Sequence, residues 1–175
     1  MPDLIRRAAA RLWRSLVTWP EARGWAWAAG VAIITLTTMQ AVGFLGGLYR
    51  LTSPNLAGLP LRLITALIAP AFGEEAVFRG LLIPDRGETP RPWLSMASVT
   101  LVFTLWHVVE ASTFLPKAAP LFLRPDFLAC SAILGFGCAL VRWRTGSLWP
   151  AVALHWLVVA IWQTWLGGPG LEALR

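Results

Sequence analysis

The sequence is short of charge and short of polar side chains. Of its 175 residues only 14% are charged, and asparagine, tyrosine and lysine occur once each, at Asn55, Tyr49 and Lys117. Water-soluble domains are about 25% charged and about 45–50% apolar. This chain is 57% apolar with a mean hydropathy of +0.61, which excludes an ordinary soluble enzyme. Cysteine is nearly absent too: Cys130 and Cys138 sit eight positions apart in one apolar run. On a helix they fall about 80° apart and two turns away, which excludes a disulfide between them, and neither has metal-ligand spacing. No GxSxG elbow, CxxC pair, HExxH, Walker loop or GxGxxG is present, so serine, thiol, zincin, nucleotide and dinucleotide chemistries lack a motif.

What fills the sequence is long apolar runs. Five stand out, at about 25–49, 59–83, 93–109, 127–141 and 148–166. A hydrocarbon core of roughly 30 Å takes about 20 helical residues. The first, second and fifth runs meet that length. The fourth is short, and 111–123 before it, with Lys117 as its one charge, reads as interfacial or re-entrant. The expected fold is therefore all-α, a polytopic transmembrane helical bundle of about five spans, with four to six compatible with the pattern. Residues 1–24 form a separate basic segment, in which Leu4, Ile5, Ala8, Leu12, Leu16 and Trp19 share one face of an interfacial helix. The apolar run behind it is too long for a signal peptide and lacks a clear cleavage site, so it reads as an uncleaved span. Residues 25–175 make the bundle.

The formal charge is +6. On a soluble domain this excess would suggest nucleic acid. Here the bases flank apolar runs, so the expected partner is the lipid bilayer and no nucleic acid. With the N-terminus inside, the inner flanks hold Arg6, Arg7, Arg11, Arg14, Arg23, Arg86, Arg91, Arg142 and Arg144, and the outer flanks hold Arg50, Arg62, Lys117, Arg124 and Arg175. The excess predicts a cytoplasmic N-terminus.

Charges inside the second run need an explanation. Ionised Glu74, Glu75 and Arg79 would together cost on the order of 7–10 kcal/mol near a span centre if unpaired. Glu75 and Arg79, four apart with the acid first, can pair on one face. Glu74 points about 100° away with Val77 and Phe78 at its i+3 and i+4 places, so it needs a partner on another helix or a proton. Pro70 removes the helical bond to the Ala66 carbonyl and Gly73 thins the helix, which can open a small wet cavity there. The two histidines, His107 and His155, lie in two further runs. Polar groups in spans face one another, so the economical inference is one buried site of Glu74, His107 and His155. A carboxylate and an imidazole can activate a water while a second imidazole donates to an oxyanion, which describes amide or ester hydrolysis; the same set could instead bind zinc.

The stretch Glu74-Glu-Ala-Val-Phe-Arg79-Gly80 matches EExxxR, Phe103-Thr-Leu-Trp-His107 matches FxxxH, and the approach to His155 is similar to a third motif. In this order on successive runs they resemble the CPBP family, the CAAX prenyl proteases and bacteriocin-processing (Abi) proteins, over about 61–165. The resemblance implies a glutamic-type intramembrane endopeptidase. Glu74 with His107 would activate water, His155 would hold the oxyanion, Glu75 and Arg79 would support the site, and Phe103 would pack one turn from His107. The family's third motif ends in asparagine four places after the histidine, where this chain has Val159. The resemblance further implies a bacterial inner-membrane protein. Its expected substrate is a membrane-anchored protein or peptide cut near its C-terminus, as in the trimming of C-terminal sorting tails, and no cofactor is expected. A zinc-dependent version of the protease, or a non-enzymatic immunity or scaffold protein with a degenerate site, are the alternatives.

Overall fold

The computed structural model describes residues 2–54, 56, 58–170 and 173; Asn55 and Arg175 lie outside the described residues. Those residues form seven α-helices and no strand, the helical bundle expected from the apolar runs. In order they are α1 (Pro2–Val17), α2 (Ala22–Gly46), α3 (Leu59–Ala66), α4 (Pro92–Thr113), α5 (Ala119–Phe122), α6 (Pro125–Thr145) and α7 (Trp149–Trp165). Between α3 and α4 the helix continues in two wide π-helical stretches, π1 (Leu67–Glu74) and π2 (Ala76–Leu81). Pro70 explains the first of these: it cannot donate its missing N–H, and widening the helix accommodates its ring.

Three helices, α2, α4 and α6, are long and apolar enough to cross a membrane. The second run is helical from Leu59 to Leu81 but divided between α and π forms. α7 has 17 residues, about 25 Å of helix. The fourth run is longer than its apolar core suggested, because Pro125 serves as a first-turn residue of α6 and Gly146, at φ 72°, ends it in a left-handed turn. Residues 116–122 fold back as one 3-10 turn and the short α5, burying Ala118 and Phe122.

α6 is the central helix, packed on both α2 and α4. Close approach is set by small residues. A Cβ at Gly135 would stand 2.9 Å from the Phe103 ring and 3.1 Å from Arg79 Nη2, so α6 can lie against the site only as glycine there. The other side of the bundle is closed by α7 on π1 and α3, where the Trp156 indole donates to the Leu63 carbonyl at 2.9 Å.

Contacts at the two ends of the bundle join segments distant in sequence. At one end α1 lies on π2, and Leu148 N donates to Ser15 O at 2.9 Å. Arg14 and Arg142 both reach Asp85 at 2.7 Å, and Arg11 reaches Glu88 at 2.6 Å. At the other end Arg50 N and Thr52 N bond to the Leu166 and Trp165 carbonyls. The amphipathic α1 is thus half docked: Ser15 is fully buried, while Leu4, Ile5, Trp13 and Val17 remain exposed on an apolar surface suited to lipid.

Asp85 ties three segments together, which gives a testable pH dependence. Burial alone would push its carboxyl up, but the hydrogen bonds and charges of Arg142 and Arg14 outweigh that and hold it below the usual carboxylate range. A lowered value means the pair stabilises the fold above the ordinary aspartate pKa of about 4 and is lost as pH falls through the folded value. The thermal midpoint in detergent is expected to fall between pH 6 and pH 3, and Asp85→Asn is expected to lower it at pH 6 and to flatten that pH dependence.

Candidate active site

The site residues come from five elements. π1 ends in Glu74, Glu75 follows at the junction, and π2 carries Arg79. α4 carries Phe103, His107 and Glu110, α6 carries Ser131 and Gly135, and α7 carries His155 and Val159. Glu74, Phe103, His107, Glu110, Ser131, His155 and Val159 line one side of a cavity of about 700 Å³, otherwise walled by apolar side chains such as Leu134, Val158 and Phe127, while Glu75, Arg79 and Gly135 lie behind that wall.

Glu75 and Arg79 are fully buried. As the spacing predicts, they pair, with Arg79 Nη1 3.1 Å from Glu75 Oε1. Arg79 Nη2 also donates to the Gly135 carbonyl at 2.9 Å, and its guanidinium lies 4.1 Å from the centroid of the Phe103 ring. Stacking and hydrogen bonding together replace the water that the buried cation gave up.

The same Glu75 oxygen lies 2.8 Å from His155 Nδ1. A carboxylate can only accept, so Nδ1 carries the hydrogen and donates. This turns His155 Nε2 toward Glu74, whose Oε2 is 3.9 Å away and has no hydrogen-bond partner among the described residues. His107 is fixed in a similar manner: its Nδ1 donates to the Phe103 carbonyl at 3.1 Å and lies 3.2 Å from Ser131 Oγ. Phe103 packs edge-on against His107 with centroids 5.0 Å apart.

The structure therefore brings all six residues singled out by the sequence to one place. It also shows their wiring. Glu74 and His107 meet although counting from the inner ends of their runs puts them roughly 12–14 Å and 21 Å deep. Three residues escaped the sequence reading. Ser131 and Gly135 look like ordinary small residues of an apolar helix. Glu110 fell outside because the third run was ended at Val109, whereas α4 continues to Thr113. Its spacing of three from His107 was the available signal, since i and i+3 share a helix face.

The donor set expected for zinc, Glu74, His107 and His155, is not the one that converges. The donor atoms that lie within 4.8 Å of one another belong to Glu74, His107 and Glu110, a set that could hold a divalent cation, while His155 Nδ1 is taken by Glu75 and its Nε2 stands 3.9 Å from Glu74.

Titratable groups gathered at one cavity of a membrane bundle, with the Glu74 and Glu110 carboxyls beside two oriented imidazoles, make this the candidate active site. The chain belongs to the type II CAAX prenyl endopeptidase Rce1-like family, which matches it over residues 54–161. No curated protein and no solved structure matches it. Family membership makes it a protease of the CAAX type, and the three long apolar helices make it an integral membrane protein.

Proposed function

We propose that the chain is a glutamic-type intramembrane endopeptidase that cuts a protein or peptide near its membrane-anchored C-terminus. The observation that carries this reading is the unpaired Glu74 Oε2 at the cavity wall, facing His155 Nε2 at 3.9 Å and close to His107. Glu74 takes a proton from a water held between it and His107, and the hydroxide so formed attacks the scissile carbonyl. His155, oriented by Glu75, presents Nε2 to the oxyanion and supplies the interaction that no amide at Val159 can give. Arg79 and Gly135 keep Glu75 in place. The N-terminus lies on the cytoplasmic side of the membrane, with the Arg86/Arg91 and Arg142/Arg144 loops.

The direct test compares membrane proteins from cells expressing wild type or Glu74→Gln by mass spectrometry. New C-termini confined to the wild type support the reading, and their absence favours a non-enzymatic scaffold. The proposal requires no metal, because a Glu74 carboxylate bound to a cation is no longer free as a base. Chelation is expected to leave cleavage intact; loss of cleavage on chelation with recovery on added zinc would reverse this.

A further inference from the structure

Glu110 is a second carboxyl at the same cavity, and packing does not account for it. It lies on the His107 face of α4, its carboxylate within 4.8 Å of both Glu74 and a ring nitrogen of His107. No salt bridge to a cation is made by it among the described residues, while the Glu74 carboxylate lies beside it. Two carboxyl groups this close on one cavity wall can take the two parts that amide hydrolysis needs, a base for the water and an acid for the departing nitrogen.

We propose that Glu110 is the general acid of the reaction, an assignment that rests on Glu74 being its base. The Glu74 carboxylate accepts a proton from water as the water oxygen bonds to the scissile carbonyl carbon. Glu110 then gives its proton to the amide nitrogen as the C–N bond breaks, so the amine leaves neutral. Glu74 now holds a proton and Glu110 a negative charge. The proton crosses the pair, directly or through one water, and restores the starting state. One water is consumed, one peptide bond is broken, and no other reactant is needed.

A matched pair of probes separates this role from a structural one. The first is a fluorogenic S-farnesyl-cysteine peptide ending in two aliphatic residues and a variable one. The second is its counterpart with a thioester at the scissile position, whose thiolate leaves without a proton. With the full chain in lipid nanodiscs, Glu110→Gln is expected to lower amide cleavage about 10²–10⁴-fold and to leave thioester cleavage nearly unchanged. Glu74→Gln is expected to suppress both. Equal losses on the two probes, as a packing or metal-holding role would give, overturn the proposal, and so does unchanged amide cleavage. Should Glu110→Gln fail to fold, Glu110→Met, apolar and of similar length, is read in the same way. A wild-type chain that cleaves neither probe overturns the peptidase reading itself, and the proposal with it.

Discussion

Glu74→Gln is expected to suppress proteolysis by at least about a hundredfold, the lower end of what a positioned general base contributes, while the protein folds and melts as before. The separation of activity from stability follows from how little Glu74 supports. Its Oε2 has no hydrogen-bond partner among the described residues, its side chain is 18% exposed, and its contact with His155 is long at 3.9 Å. Glutamine keeps the size and removes only the ability to take a proton. Cleavage of a membrane-anchored substrate, followed by mass spectrometry beside thermal unfolding in detergent, reads both quantities. Retained cleavage would remove Glu74 as the base, and a large fall in melting temperature would show that the carboxylate holds the fold together.

The fold class was legible because membrane burial writes itself into composition: the three helices long and apolar enough to cross a membrane each follow an apolar run. Helix lengths were less legible, since Pro125 and Arg142 to Thr145 continue α6 beyond its apolar core. A helix ends where its backbone is capped rather than where its hydropathy falls. At the site, ionisable groups in apolar runs marked Glu74, Glu75, Arg79, His107 and His155, and the i,i+4 spacing of Glu75 and Arg79 gave their pairing. What sequence spacing could not give is contact between helices. The bond from His155 to Glu75 joins residues 80 apart, and the approach of Gly135 to Arg79 joins residues 56 apart. No local periodicity records either one. Glu110 was within reach of a local rule and was lost to a boundary.

Removing Glu75 is expected to have the largest effect on the protein as a whole. The carboxylate is fully buried between Arg79 Nη1 at 3.1 Å and His155 Nδ1 at 2.8 Å, so one oxygen neutralises a buried cation and orients an imidazole. Glu75→Gln leaves the Arg79 charge without a counterion, and breaking a buried pair from one side costs about 3–5 kcal/mol. Lower expression and a fall of several degrees in melting temperature are expected, with cleavage lost as His155 loses its anchor. Arg79→Met is expected to be comparably destabilising, because it strands the Glu75 carboxylate. The double variant Glu75→Gln/Arg79→Met distinguishes charge from shape. With both charges gone and the methionine filling the space over the Phe103 ring, it is expected to be more stable than either single variant, by the logic that replacing a whole buried pair is far cheaper than breaking it. Its activity is expected to stay low, since His155 still lacks its carboxylate. Stability losses that simply add would mean that Glu75 and Arg79 act independently, and full activity in the double variant would mean that His155 is held by something other than Glu75.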